Sequence, residues 1–154
     1  MSGETIIDNE TGRPVITAEQ LDGVRTSRVF AFFIDYLIIG ILCVPAAIVI
    51  GILGIPTLTL AWALYPILPG LVAIIYLALT MGGKRQATIG MAMMGVKIKR
   101  LDGTPVDPLL AILHGILFWV IHSIAVIIPL LVTFFSSKKR LLHDILLGTY
   151  VVRG

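Results

Sequence analysis

Six side chains in or beside long apolar runs carry most of the chemistry open to this sequence: Arg28, Asp35, His114, His122, His143 and Asp144. Asp35 is the sharpest. Between Val29 and Gly83, 55 residues, it is the only Asp, Glu, Lys or Arg. A carboxylate well inside a spanning helix costs about 2.5–3.5 kcal/mol on insertion scales, so it must face protein or water rather than lipid. Arg28 precedes it by seven residues, two helical turns, which places both on nearly one face at roughly 10 Å along the axis. That is too far for direct contact but defines a shared polar stripe. Two readings fit: a titratable or cation-binding group on a transport path, or an aspartate hydrogen-bonded to a neighbouring helix to fix packing. The residue types leave both open.

The other groups speak less clearly. His114 and His122 would lie about 80° apart around a continuous helix, a poor geometry for one metal ion, and no cysteine or carboxylate accompanies them. Packing or interfacial histidines is the plainer reading, and neither a metal nor a cofactor is expected. His143-Asp144 follows the basic run KKR. It reads as a surface turn beside a membrane, with Asp144 capping a helix or pairing with Arg140 or Arg28. A pair with Arg28 would tie the C-terminal segment to the first helix. Cys43 is the single cysteine, which excludes an internal disulfide. GMAMMGVK (90–97) lacks the GK[ST] ending of a phosphate loop, and GxSxG, HExxH and CxxC are missing. An enzyme is not expected.

The elements that must position these groups follow from composition. Of 154 residues 57% are hydrophobic and only 14% charged, with a mean hydropathy of +0.99. A soluble domain carries roughly 25% charged residues. The apolar stretches run over about 29–55, 58–81 and 109–135, each long enough for a span of about 20 residues. The expected fold is an all-α, multi-pass transmembrane helical bundle with a small β-prone cytoplasmic element. Pro45 should kink the first span, and Pro66, Pro69 and Gly70 should break the second near its middle. The third is either one tilted helix or a pair of short or re-entrant helices meeting near His122-Ser123. Residues 1–23 read as a flexible tail and 24–154 as a single membrane domain. Between the second and third stretches lies a basic, amphipathic loop, 84–107. Within it Gln86–Met94 suits an interfacial helix, and GVKIKRLDG alternates like a strand before an Asp-Gly turn. The first 27 residues are too polar, and the following run too long, for a signal peptide.

Basic residues set orientation. The turn near Pro56 has none, the loop 84–107 has Lys84, Arg85, Lys97, Lys99 and Arg100, and the tail has Lys138, Lys139, Arg140 and Arg153. These are also candidates for anionic headgroups. The positive-inside bias puts the N-terminus and loop 84–107 in the cytoplasm. A returning third stretch would keep the C-terminus there too, and strand-like segments 96–100 and 149–153 could pair only on one side. With the charge explained this way, the excess of +3 does not call for nucleic acid.

The stretches SRVFAFFIDYLI (Arg28, Asp35), GKRQATIGMAMMGVKIKRLDGTPV (Thr88, Gly90, Gly95) and LLHDILLGTYVV (Asp144) together resemble the RDD family of small bacterial integral membrane proteins, over about residues 24–152. One departure stands before the third span, where Asp107-Pro108 replaces a basic residue frequent in that family. The resemblance implies a bacterial plasma-membrane location. Through relatives associated with sodium–proton exchange it implies Asp35 as the exchanging group, Arg28 as its electrostatic tuner and Asp144 as a cytoplasmic partner. A chain this small would then act as a homo-oligomer. The competing expectation is a non-transporting module that binds anionic lipid or a partner protein, with the Arg28/Asp35/Asp144 group structural.

Overall fold

Apolar helix formers run unbroken from Val24, and the computed structural model, which describes residues 16–17, 19–124 and 140–154, shows one helix, α1, over Val24–Gly54. It passes through Pro45 without ending. At 1.5 Å per residue its 31 residues reach about 46 Å, beyond a hydrocarbon core of about 30 Å. The surplus is at the N-terminal end, where Val24, Ser27 and Ala31 are buried. Their spacing of three and four, continued by Arg28 and Asp35, marks one face of the helix.

Leu58 and Thr59, both at positive φ, turn the chain back. The second stretch divides where its prolines require. A 3-10 segment, Leu60–Ile67, gives way to helix α2, Leu68–Thr80, with proline in its first turn. The proline lacks the amide that an α-helix interior would need, and its fixed φ suits a helix start. Only 6% of the most apolar window of Glu19–Gly54 and 17% of that of Leu60–Thr80 is buried. In a soluble protein such helices would line the core, so these are built to face lipid.

Next come a short helix α3, Ile89–Met93, a strand β1, Val96–Arg100, and helix α4, Pro108–Ile124. Asp107 caps α4 by accepting from the Leu110 amide at 2.8 Å, which gives the Asp-Pro pair a local reason. Residues 125–139 fall outside the described residues, so the choice between one helix and two for 109–135 lies there as well. The chain resumes with helix α5, Leu142–Leu146, and strand β2, Thr149–Arg153.

β1 and β2 form an antiparallel pair, with Ile98 opposite Val151 and Lys97 opposite Val152. The expected pairing of segments 96–100 and 149–153 is therefore present. The two units match residue for residue in layout: a five-residue helix, one residue, a glycine with φ near +65° (Gly95) or +63° (Gly148), then a five-residue strand. A left-handed residue ends each helix, and glycine adopts that conformation without a Cβ penalty. Val96, Ile98, Val106 and Val151 join Val24, Ala31, Met81, Met91 and Ala111 in one buried cluster. This small cap is the packed core, while most of the spans stay exposed. Leu21, in a 3-10 turn Glu19–Leu21, packs with Tyr150 and Val152. That end of the 1–23 tail is docked on the sheet.

Candidate functional site

Two polar centres sit on the inner stripe of α1, and each holds one of the paired helix–strand units. In the first, the Asp35 carboxylate accepts from the Tyr76 hydroxyl at 2.5 Å, the Thr88 hydroxyl at 2.6 Å and the Gly90 amide at 2.8 Å. The hydroxyls also accept from α3: Ile89 N–H donates to Tyr76 at 3.0 Å and Met91 N–H to Thr88 at 3.1 Å. Three of the amides that a helix start leaves unpaired thus converge, directly or through one hydroxyl, on one carboxylate. Gly90 makes this approach possible, since a Cβ there would lie 2.3 Å from the Ala31 carbonyl oxygen and 2.8 Å from the Asp35 carboxylate.

In the second centre, Arg28 Nη1 meets Asp144 Oδ2 at 2.5 Å. The same oxygen accepts from the Leu141 amide at 2.9 Å, capping α5. Asp144 is fully buried, and the Arg28 side chain is 14% exposed. Burial works against ionisation of Asp144, but the Arg28 guanidinium, and after it the imidazoles of His114 and His143, outweigh it and hold the carboxyl below its usual range. Asp144 Oδ1 faces His143 Nε2 at 3.5 Å and His114 Nε2 at 3.7 Å. The two imidazole rings meet edge to face at 4.6 Å, and Phe118 stands against His143 at 5.3 Å.

The expected single cluster of Arg28, Asp35 and Asp144 is thus two. Seven residues of helix separate Arg28 from Asp35, and each finds a different partner at its own level. His143-Asp144 is not a surface turn: both residues are buried, because α5 is tucked against α4 and α1 by the strand that follows it. His114 joins this centre. The side chain of His122 lies outside the described residues. Among the basic residues, Lys84 and Arg85 are exposed, while Lys97, Lys99, Arg100 and Arg140 are half-buried. Arg100 pairs with Asp102 at 2.6 Å. Burial, and after it Lys97, lowers the Lys99 pKa. Lys138 and Lys139 fall outside the described residues.

Sequence reasoning missed Tyr76 as a site residue, since a tyrosine near the end of an apolar stretch equally suits the headgroup level. It is instead buried, with the hydroxyl turned inward. Thr88 was more legible: a threonine before a short apolar helix is an N-cap signal, and the side chain caps α3 as it binds Asp35.

Long, lipid-facing helices joined to a small folded cap through hydrogen-bonded carboxylates define an integral membrane protein with apolar helices. The chain belongs to the RDD family, whose model matches residues 23–148. No curated protein and no solved structure matches it.

Proposed function

We propose that this protein is a non-transporting membrane module, with a cytoplasmic cap that engages anionic lipid at the inner face of a bacterial plasma membrane. The observation that carries this reading is the saturation of Asp35 by three donors. A carboxylate so bound fixes α3 to α1, and losing it as acceptor would leave several buried donors unpaired. Beside this anchor, a groove of about 350 Å³ runs between the end of α2 and α3, lined by Leu79, Thr80, Lys84, Arg85 and Ile89 among others. Exposed cations and exposed apolar side chains meet there, as a lipid phosphate with its acyl chain requires. On this reading the cap, with the start of α1 and Gly154, faces the cytoplasm, and a reporter fused after Gly154 should be active only if that holds. In nanodiscs, the melting temperature should rise with the fraction of phosphatidylglycerol, and Lys84→Gln/Arg85→Gln should abolish the rise. An unchanged response in the double variant refutes the lipid reading.

One observation favours a second reading, exchange of a monovalent cation for a proton by a homo-oligomer. Asp35, Tyr76 and Thr88 bring four oxygens together from α1, α2 and the start of α3, and hydroxyls that donate to a carboxylate can instead turn lone pairs to a hard cation. One proton would leave as one cation enters, conserving charge at Asp35. Vesicles containing wild-type protein should then show pH-dependent sodium or potassium flux that Asp35→Asn abolishes. Absence of flux from the folded wild type removes this reading for those ions.

A further inference from the structure

We infer that His114, His143 and Asp144 form a binding site for one divalent transition-metal ion of the zinc type. The site is independent of the lipid groove and of Asp35. Its donors come from α4 and α5, more than 25 residues apart in the chain, and all three residues are buried. One ligating atom from each lies within 4.8 Å of the other two. His143 Nε2 and His114 Nε2 stand 3.5 and 3.7 Å from Asp144 Oδ1.

Those separations are informative. They exceed the 2.7–3.2 Å of a good N–H···O bond. They are close to the edge, about 3.4 Å, of a tetrahedron built on zinc–nitrogen and zinc–oxygen bonds of about 2.0–2.2 Å. Among the described residues, neither Asp144 Oδ1 nor His114 Nδ1 has a hydrogen-bond partner, although both are buried. A cluster held together by hydrogen bonding alone would bring an imidazole N–H onto Oδ1, since a buried acceptor left unpaired is costly. An ion between the three atoms gives Oδ1 a partner and takes one lone pair from each Nε2. Two imidazoles and one carboxylate suit Zn²⁺, Co²⁺ or Ni²⁺, whereas calcium and magnesium take all-oxygen sites.

Arg28 shapes the site from behind. It holds Asp144 Oδ2, so Oδ1 is left to face the histidines, as an outer partner orients a metal-bound carboxylate. Its charge also opposes the ion, so cation and guanidinium compete for one carboxylate. Metal occupancy would clamp α5, and through it β2, to α4.

The test uses full-length protein with Cys43→Ser and a tag without histidine, stripped with chelator and titrated with Co²⁺ and then Zn²⁺. The expected result is one ion per chain, cobalt d–d bands of tetrahedral intensity that zinc displaces, and a melting temperature that rises on loading. His114→Ala and His143→Ala should each weaken binding at least tenfold, and Arg28→Gln should tighten it. X-ray absorption on the zinc-loaded wild type requires no variant: imidazole nitrogens in the shell support the site. An all-oxygen shell, no ion bound by the folded wild type, or unchanged affinity in both histidine variants overturns it.

Discussion

Replacing Gly90 with alanine adds one methyl group at the tightest contact between the cap and the first span. The added Cβ would sit 2.3 Å from the Ala31 carbonyl oxygen and 2.8 Å from Asp35 Cγ and Oδ1. Ordinary contact needs about 3.5 Å, so α3 must retreat by about 1 Å. The Gly90–Asp35 hydrogen bond, 2.8 Å in the native structure, does not survive that shift. A hydrogen bond to a charged group contributes about 1.5–3 kcal/mol, and overpacking adds about 1–3 kcal/mol. The better helix propensity of alanine returns up to about 1 kcal/mol. The net expected loss is about 1.5–6 kcal/mol, a large share of a typical total of about 5–15 kcal/mol. Gly40→Ala is the matched control, because a Cβ there meets nothing within 4 Å. Thermal melting in detergent should place Gly90→Ala well below wild type and Gly40→Ala at or slightly above it. Hydrogen exchange should rise over 86–94 in the first variant alone. If the two variants melt together, α3 is not anchored on α1 through Asp35.

Other outcomes follow from the same geometry. Arg28→Ala and Asp144→Ala should each cost about 3–5 kcal/mol, because each leaves a buried charge unpaired, while Arg28→Met/Asp144→Leu should recover most of it; chemical denaturation of the four proteins checks this cycle. Cysteines at 97 and 152, which are directly opposed, should cross-link on oxidation, and cysteines at 97 and 150 should not, as read by a gel shift under non-reducing conditions. Burial raises the Tyr150 pKa above its usual value of 10.0. The folded state therefore favours the neutral phenol, so its stabilisation is complete below pH 10 and is lost as pH rises above that. Melting temperatures across this range should fall less steeply for Tyr150→Phe than for wild type.

How much of this was legible in the chain depends on the range of the interaction. The membrane helices, the break at Pro66–Pro69 and the two strand segments were legible because each rests on local rules: runs of apolar residues, missing amides, alternation. The partners of the polar groups were legible only in part: Asp144 as a cap and as a partner of Arg28 was one of the options its position offered, and the structure has it. Helical phase put Arg28 and Asp35 on one stripe and suggested one cluster, yet phase says nothing about what arrives at Asp35 from residues 76 or 88. His114 shows the same limit. Judged along its own helix it had only His122 for company, and its actual neighbours come from a segment about 30 residues later.

By itself, then, the sequence determined that the chain enters a membrane, since one charge in 55 residues leaves no soluble alternative, and it singled out Asp35 as a group that must be satisfied. Only the tertiary structure decided how. Pairing β1 with β2 carries α3 and α5 to the same end of α1, and there the donors of one helix start find Asp35 while Arg28 finds Asp144. A buried charge must be matched within about 3 Å, and contacts that short between distant segments exist only once the cap has closed.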